Sequence, residues 1–149
     1  MQASASMPFV SRIVKIGDRQ LLDGGISDSI PLNWFRSIGY EKNLVVLTRP
    51  RGYRKKPPRG LPLLLHKIRR YPALARAVRT RHIRYNQALD QLPELEKAGL
   101  ALVLRPSRRI KVSKLERHPW KLKALYKLGR KDTERRLEEI RRFLAQEQR

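Results

Sequence analysis

The sequence predicts an α/β fold in which helices cover a largely parallel sheet. Two continuous apolar runs, residues 44–47 and 100–104, have the composition of strands that are buried on both faces. A long helical region separates them, and the order strand, helices, strand is typical of parallel pairing, because the chain must cross over before it can run in the same direction again. We therefore expect these two strands to lie side by side.

The residues before the first buried strand predict a hairpin and a short helix. Residues 13–16 and 20–22 are short apolar-leaning runs joined by the turn formers Gly17 and Asp18. Residues 32–38 have a helical pattern that ends at Gly39, and Asp28 is expected to cap this helix.

The residues after the first buried strand predict an irregular loop and four helices. Residues 49–60 hold too much Pro, Gly and positive charge for regular structure. Helices are expected over residues 61–70 and from Pro72 onward, and the second of these has a core-facing stripe. That stripe consists of Leu74, Val78, His82, Tyr85, Leu89 and Leu92. After the second strand, a helix near Trp120 and a last helix over 134–146, capped by Asp132 or Thr133, complete the prediction.

Positive charge dominates the composition. The 149 residues include 35 Lys and Arg against 13 Asp and Glu, and no acidic residue occurs between Glu41 and Asp90. Such a segment favours anionic partners, of which lipid headgroups and nucleic acids are the main classes. Tyrosines lie among these arginines, as in nucleic-acid modules, but no nucleic-acid fold signature is present, so that partner is the less favoured one. A plain solvated basic face is the simplest alternative.

Cysteine and histidine usage argue against metal chemistry. The chain has no cysteine and three scattered histidines, which excludes disulfides and gives no zinc-ligand spacing. We predict neither a metal nor a cofactor. The N-terminus has no signal-peptide pattern, and no run approaches the ~18 apolar residues of a membrane span. The expected location is the cytoplasm, with peripheral attachment to a membrane as an option.

The segment Asp23-Gly24-Gly25-Ile26-Ser27-Asp28 resembles the second catalytic motif of the bacterial patatin-like phospholipase family. In the subgroup it most resembles, an Ala-Ser-x-x-x-Pro segment precedes the motif, as residues 3–8 do here. A Leu-Thr-Arg-Pro-x-Gly-Tyr-Arg-Lys-Lys-Pro stretch follows at residues 47–57. Further likenesses are Arg81-His82, Tyr85-Asn86 and Arg105-Pro106-Ser107, so the resemblance spans nearly the whole chain.

This resemblance implies the C-terminal part of a three-layer α/β/α sandwich with a largely parallel sheet, followed by a helical C-terminal extension. Residues 1–48 would complete the catalytic domain, and residues 49–149 would form the basic, mainly helical region with one further strand. Members of the family are lipid acyl hydrolases with a serine–aspartate dyad, so the expected substrate is a fatty-acyl ester or phospholipid. By matching position Asp23 is the catalytic aspartate, and Gly24 and Gly25 let the chain turn close behind it.

The family's Gly-x-Ser-x-Gly nucleophile and glycine-rich oxyanion loop do not occur among these 149 residues. The resemblance therefore implies a C-terminal half that is inactive alone and needs an upstream segment to supply the serine. A non-catalytic protein that binds lipid or a partner is the main alternative. In either case the protein would bind an anionic membrane surface through basic residues of the loop, which are Arg49, Arg51, Arg54, Lys55 and Lys56.

Overall fold

The computed structural model describes residues 2–6, 11–112 and 116–145 of the chain. These residues form a mixed α/β structure with two small sheets and five α-helices, as predicted at this coarse level. In chain order the elements are β1 (Val14–Ile16), β2 (Arg19–Leu21), α1 (Leu32–Ser37), β3 (Asn43–Val46), α2 (Leu61–Lys67), α3 (Pro72–Lys97), β4 (Ala101–Leu104), α4 (Pro119–Glu134) and α5 (Leu137–Ala145). Short 3-10 turns lie at Ala3–Ala5 and Gly24–Ile26.

The chain divides into two compact units. Unit 1 consists of Met1–Trp34 and Arg54–Asp90, and unit 2 consists of Phe35–Tyr53 and Gln91–Arg149. In unit 1, β1 and β2 form the predicted antiparallel hairpin, with Val14 opposite Leu21. Gly17 in its turn has φ of 56°, a left-handed conformation that glycine adopts at little cost.

The core of unit 1 is built on the first turns of α3 and on α2. Ile26, Ile68 and Val78 are buried together, and partly buried leucines and alanines from α2 and α3 pack against them. Burial of each large aliphatic side chain contributes about 1.5–3 kcal/mol. The predicted stripe of α3 is confirmed at Val78, Tyr85, Leu89 and Leu92, which are all buried.

Unit 2 contains the predicted parallel strand pair. Asn43 lies opposite Ala101 and Val46 lies opposite Leu104, and all four residues of β4 are buried. The prediction that β3 is buried on both faces is wrong, because Leu44 and Val46 are 39% and 68% exposed. An apolar run marks a strand, but it does not by itself show that both faces of that strand are covered. Among the described residues this sheet has two strands, so the expected larger parallel sheet is not part of them.

The C-terminal helices differ from the prediction at their junction. α4 continues through Asp132 and Thr133 to Glu134, and α5 begins only at Leu137, so the expected cap at these two residues is wrong. The Oδ2 atom of Asp132 instead accepts a hydrogen bond of 2.8 Å from the Ser107 backbone N–H. Ile140 and Phe143 of α5 pack with Leu102 and Leu104. The predicted end of the last helix, at residue 146, lies outside the described residues.

Within the described residues, no helix is both long enough and apolar enough to cross a lipid bilayer.

Candidate functional site

The Asp23 turn follows β2 directly and is held by backbone contacts on both sides. The Asp23 N–H donates to the Ser6 carbonyl oxygen at 3.0 Å, and its Oδ1 atom accepts from the Gly25 N–H at 2.9 Å. This second bond caps the 3-10 turn Gly24–Ile26, whose last residue is buried. The carboxylate is half-buried and fixed through one oxygen. The residues Met7 and Pro8 of the preceding motif lie outside the described part of the chain.

The two glycines of the turn have different roles. Neither has a positive φ, so the turn itself does not demand glycine at either position. A Cβ atom at Gly25 would lie only 3.2 Å from Oδ1 of Asp23, whereas one at Gly24 would meet nothing within 4 Å. A side chain at position 25 would therefore crowd the Asp23 carboxylate and shift it by a few tenths of an ångström, whereas position 24 has room for one.

Serine hydroxyls near this turn are engaged with the backbone. Ser27 donates to the Gly24 carbonyl at 3.0 Å, and Ser29 donates to the Gly25 carbonyl at 2.6 Å. No serine hydroxyl of the described residues donates to Asp23, so the turn presents a positioned carboxylate without a nucleophile beside it.

Asp28 stabilises the segment that leads into α1. Its Oδ1 atom accepts from the Ile30 N–H at 3.1 Å, two residues before α1 begins at Leu32. The prediction that Asp28 caps this helix is therefore wrong: its side chain forms an Asx turn before α1 and accepts no hydrogen bond from the described helix residues.

The second half of the basic loop is anchored to α3 by one amide side chain. Asn86 Oδ1 accepts from the Lys55 N–H at 2.9 Å, and Asn86 Nδ2 donates to the Lys55 carbonyl at 3.0 Å. Arg54 forms an ion pair with Asp90, and the Lys55 ammonium lies 4.2 Å from the centre of the Tyr85 ring. Two of the five basic residues predicted to contact an anionic surface are therefore already engaged within unit 1.

The other three predicted residues are placed differently. Lys56 is exposed in unit 1, and Arg51 is exposed in unit 2. Arg49 is half-buried in unit 2, with its guanidinium carbon 5.2 Å from the centre of the Tyr53 ring.

Two polar groups on α3 have buried atoms that lack partners. Arg81 Nε and His82 Nδ1 make no hydrogen bond to a described residue. His82 is partly buried within the core-facing stripe, but its Nδ1 atom has no partner among the described residues, so it is not the hydrogen-bonded core histidine that such a position usually holds. Tyr85, one of the tyrosines that a nucleic-acid module would use for stacking, is only 8% exposed.

Unit 2 has a cavity of about 360 Å³ that the sequence did not predict. It lies past the carboxyl ends of β3 and β4, which end at Val46 and Leu104, and α4 forms part of its wall. In parallel sheets this edge is where ligands usually bind. Its lining includes Arg49 and Arg105, each of which follows one of the two strands.

Two charged side chains in the lining of this cavity are structural. Arg136 Nη1 donates to the Val103 carbonyl at 2.6 Å, and its Nε and Nη2 atoms bind both oxygens of Glu139. The Ser107 N–H holds the pKa of Asp132 below its ordinary value, so this carboxylate is ionised at neutral pH. Among the described residues, no group of three or more His, Cys, Asp or Glu side chains is placed to hold a metal ion.

Comparison with protein families corrects the family assignment. No curated protein and no solved structure gives a significant match to this chain. The expected membership of the patatin-like phospholipase family is wrong, because the family model that matches is a different one, described as a domain of unknown function. Asp23 and the stretch of residues 47–57, on which that expectation was based, lie outside the matched residues 71–145. Since the match covers 75 of the 149 residues, the chain belongs to the DUF6363 family.

Proposed function

We propose that this chain supplies the carboxylate of a serine-dependent acyl-ester hydrolase that acts on fatty-acyl esters or phospholipids. The observation that supports this most is the geometry of Asp23. One carboxylate oxygen is fixed by the Gly25 N–H at 2.9 Å, and the other accepts no hydrogen bond from a described residue. A carboxylate held in this way can receive or orient a proton without first reorganising.

The proposed reaction needs a nucleophile from another segment, in the same polypeptide or in a partner. A serine hydroxyl attacks the ester carbonyl and its proton passes to Asp23, which returns the proton to the alcohol as that leaves the tetrahedral intermediate. The acyl-serine that remains is then attacked by a water molecule whose proton passes through Asp23 to the serine oxygen, so that the fatty acid is released and the serine is restored. The proposal includes a three-layer α/β/α sandwich, in which the same segment adds strands to the sheet of β3 and β4. The same segment would also supply helices to the open face of this sheet. The exposed apolar residues Leu44 and Val46, which lie on one face of β3, support such a layer, because helices packed on that face would cover them.

A second candidate function is non-catalytic binding to an anionic lipid surface. Unlike the hydrolase reaction, this binding does not need a serine from another segment. It is favoured by the acid-free segment between Glu41 and Asp90, which contains fourteen Lys and Arg residues. Each basic residue near such a surface adds about 1 kcal/mol of attraction at low ionic strength. A nucleic-acid partner is less favoured, since Tyr85 is buried and cannot stack on a base without local opening.

The hydrolase proposal is tested with Asp23→Asn and the matched control Asp28→Asn. Both changes remove one carboxylate from the same segment, and asparagine keeps an oxygen that can accept the backbone bond from Gly25 or Ile30. Hydrolysis of short-chain nitrophenyl esters is measured with the chain alone and with the product extended upstream in the same reading frame. In the active form, Asp23→Asn should lower kcat by about 10²–10⁴-fold, and Asp28→Asn should leave it unchanged. Equal rates for Asp23→Asn and wild type would rule out the proposed role.

The second candidate is tested by flotation with phosphatidylglycerol and phosphatidylcholine vesicles. We expect binding to the anionic vesicles alone, and weaker binding as salt is added. Arg51→Gln combined with Lys56→Gln should reduce it, because both side chains are exposed. Equal binding to both kinds of vesicle would contradict an electrostatic mechanism, and strong salt-dependent binding to nucleic acid would favour that partner instead.

A further inference from the structure

The unit 2 cavity combines an apolar interior with a positively charged edge. Its apolar lining consists of Leu47, Leu104 and Leu128, which are buried, and of Leu125, which is 37% exposed. The exposed surface of the lining is mostly apolar. Its volume of about 360 Å³ lies at the lower end of the range for small-molecule sites. A single hydrocarbon chain suits this volume better than the two chains of a phospholipid.

The charged edge is formed by three arginines that follow β4. Arg105, Arg108 and Arg109 line the cavity after β4, and none of them forms an ion pair with a described residue. Arg108 lies near the Asp132 carboxylate, but that carboxylate already accepts the Ser107 N–H. The arginines of the lining therefore outnumber its one carboxylate, that of Asp132, and the edge of the cavity is positively charged.

The surrounding contacts hold this arrangement in place before any ligand binds. A hydrogen bond of 2.8 Å from the Ser107 backbone N–H to Asp132 Oδ2 connects the segment after β4 to α4. Arg136, which follows α4, donates a hydrogen bond of 2.6 Å from Nη1 to the Val103 carbonyl of β4. Because both segments are already held in place, ligand binding does not incur the entropic cost of ordering them.

We propose that this cavity binds a single-chain amphipathic anion, that is, a free fatty-acid carboxylate. Its hydrocarbon chain would lie among the leucines, and its carboxylate would accept hydrogen bonds from Arg105 and Arg108. Arginine suits this task because its guanidinium group donates two parallel bonds to a carboxylate. The inference does not rest on the proposed hydrolase function, because it needs neither Asp23 nor any chemical step.

The first test separates the contributions of tail and charge. Isothermal titration calorimetry of the 149-residue chain is carried out with decanoate, decanol and acetate, each below the concentration at which it aggregates. Decanoate should bind saturably, decanol should bind at least about tenfold more weakly, and acetate should not bind measurably. Equal affinity for decanoate and decanol, or no saturable binding of decanoate, would overturn the proposal.

The second test fills the cavity without disturbing the helix that lines it. Gly129 lines the cavity from α4, and a Cβ atom built on it meets nothing within 4 Å. Gly129→Leu places a large side chain in the cavity and also favours the helix, so a loss of binding would not arise from unfolding. Gly129→Ala is the control, since it has the same effect on the helix and fills almost none of the space. Decanoate binding should be lost in Gly129→Leu and kept in Gly129→Ala; equal binding by both would contradict the proposed location.

The third test concerns the arginines. Arg105→Gln combined with Arg108→Gln should weaken decanoate binding by about tenfold or more and leave decanol binding unchanged. The control is Lys123→Gln combined with Lys127→Gln, which removes two charges from exposed positions on α4 outside the lining. If both double variants weakened decanoate binding equally, the charge effect would be general, and the assignment of Arg105 and Arg108 would be wrong.

Discussion

Asn86 is predicted to be the main anchor of the basic loop on α3. Its side chain makes two hydrogen bonds to the backbone of Lys55, at 2.9 and 3.0 Å. Each such bond contributes about 0.5–1.5 kcal/mol net, so Asn86→Ala should lower the free energy of unfolding by about 1–3 kcal/mol. The Asn86 amide binds both the backbone N–H and the backbone carbonyl of Lys55. The same change should therefore also release the neighbouring residues of the loop.

Two measurements check this prediction. Thermal unfolding should show a Tm decrease of about 2–4 °C for each kcal/mol lost. Limited digestion with trypsin should cut the loop faster, since its Lys and Arg residues become available when the anchor is removed. Gln87→Ala is the matched control, because this neighbouring amide is exposed and makes no hydrogen bond to a described residue. If Asn86→Ala matched Gln87→Ala in both Tm and rate of cleavage, the reasoning would be refuted.

Two further predictions concern the Asp23 turn and the pH dependence of stability. Gly25→Ala should displace the Asp23 carboxylate, because the new Cβ would lie 3.2 Å from Oδ1, whereas Gly24→Ala should be tolerated. Thermal unfolding should therefore separate the two variants, and equal Tm values would contradict this account of the glycines. Because the Ser107 N–H lowers the pKa of Asp132, this carboxylate stabilises the fold above its ordinary pKa of 3.8, and the contribution is lost as the pH falls through the lower folded value. Denaturant unfolding is measured from neutral pH to below 3.8. The free energy of unfolding should decrease less over this range for Asp132→Asn than for wild type.

Local sequence signals were sufficient for most elements of the fold. The Gly17 turn, the apolar runs of β3 and β4, and the stripe on α3 each depend on residues close together in the chain, so their patterns could be read directly. The parallel pairing also followed, because the intervening helices leave room for a crossover. The exposure of Leu44 and Val46 could not be predicted, since burial of a strand face depends on what other segments cover it.

Long-range partners explain what the sequence reasoning missed at the site. Asn86 binds a backbone 31 residues away, and Arg136 binds a carbonyl 33 residues away, so neither role has a local signature. Asp132 followed by Thr133 and Glu134 has the composition of a helix start, yet Asp132 accepts from Ser107, 25 residues earlier, and the helix continues. A favourable local pattern was thus replaced by a tertiary bond that used the same carboxylate.

The cavity in unit 2, by contrast, has a sequence signal that could have been used. Each of the two parallel strands is followed within a few residues by Arg-Pro, at Arg49-Pro50 and at Arg105-Pro106. Proline cannot donate to the ladder and so ends strand pairing, and parallel strands end at the same edge of a sheet. Two paired strands that are both followed by Arg-Pro therefore place two arginine residues at one edge of the sheet. Within a chain of net charge +22 these arginines looked like part of a general basic background, but their position after paired strands distinguishes them from it.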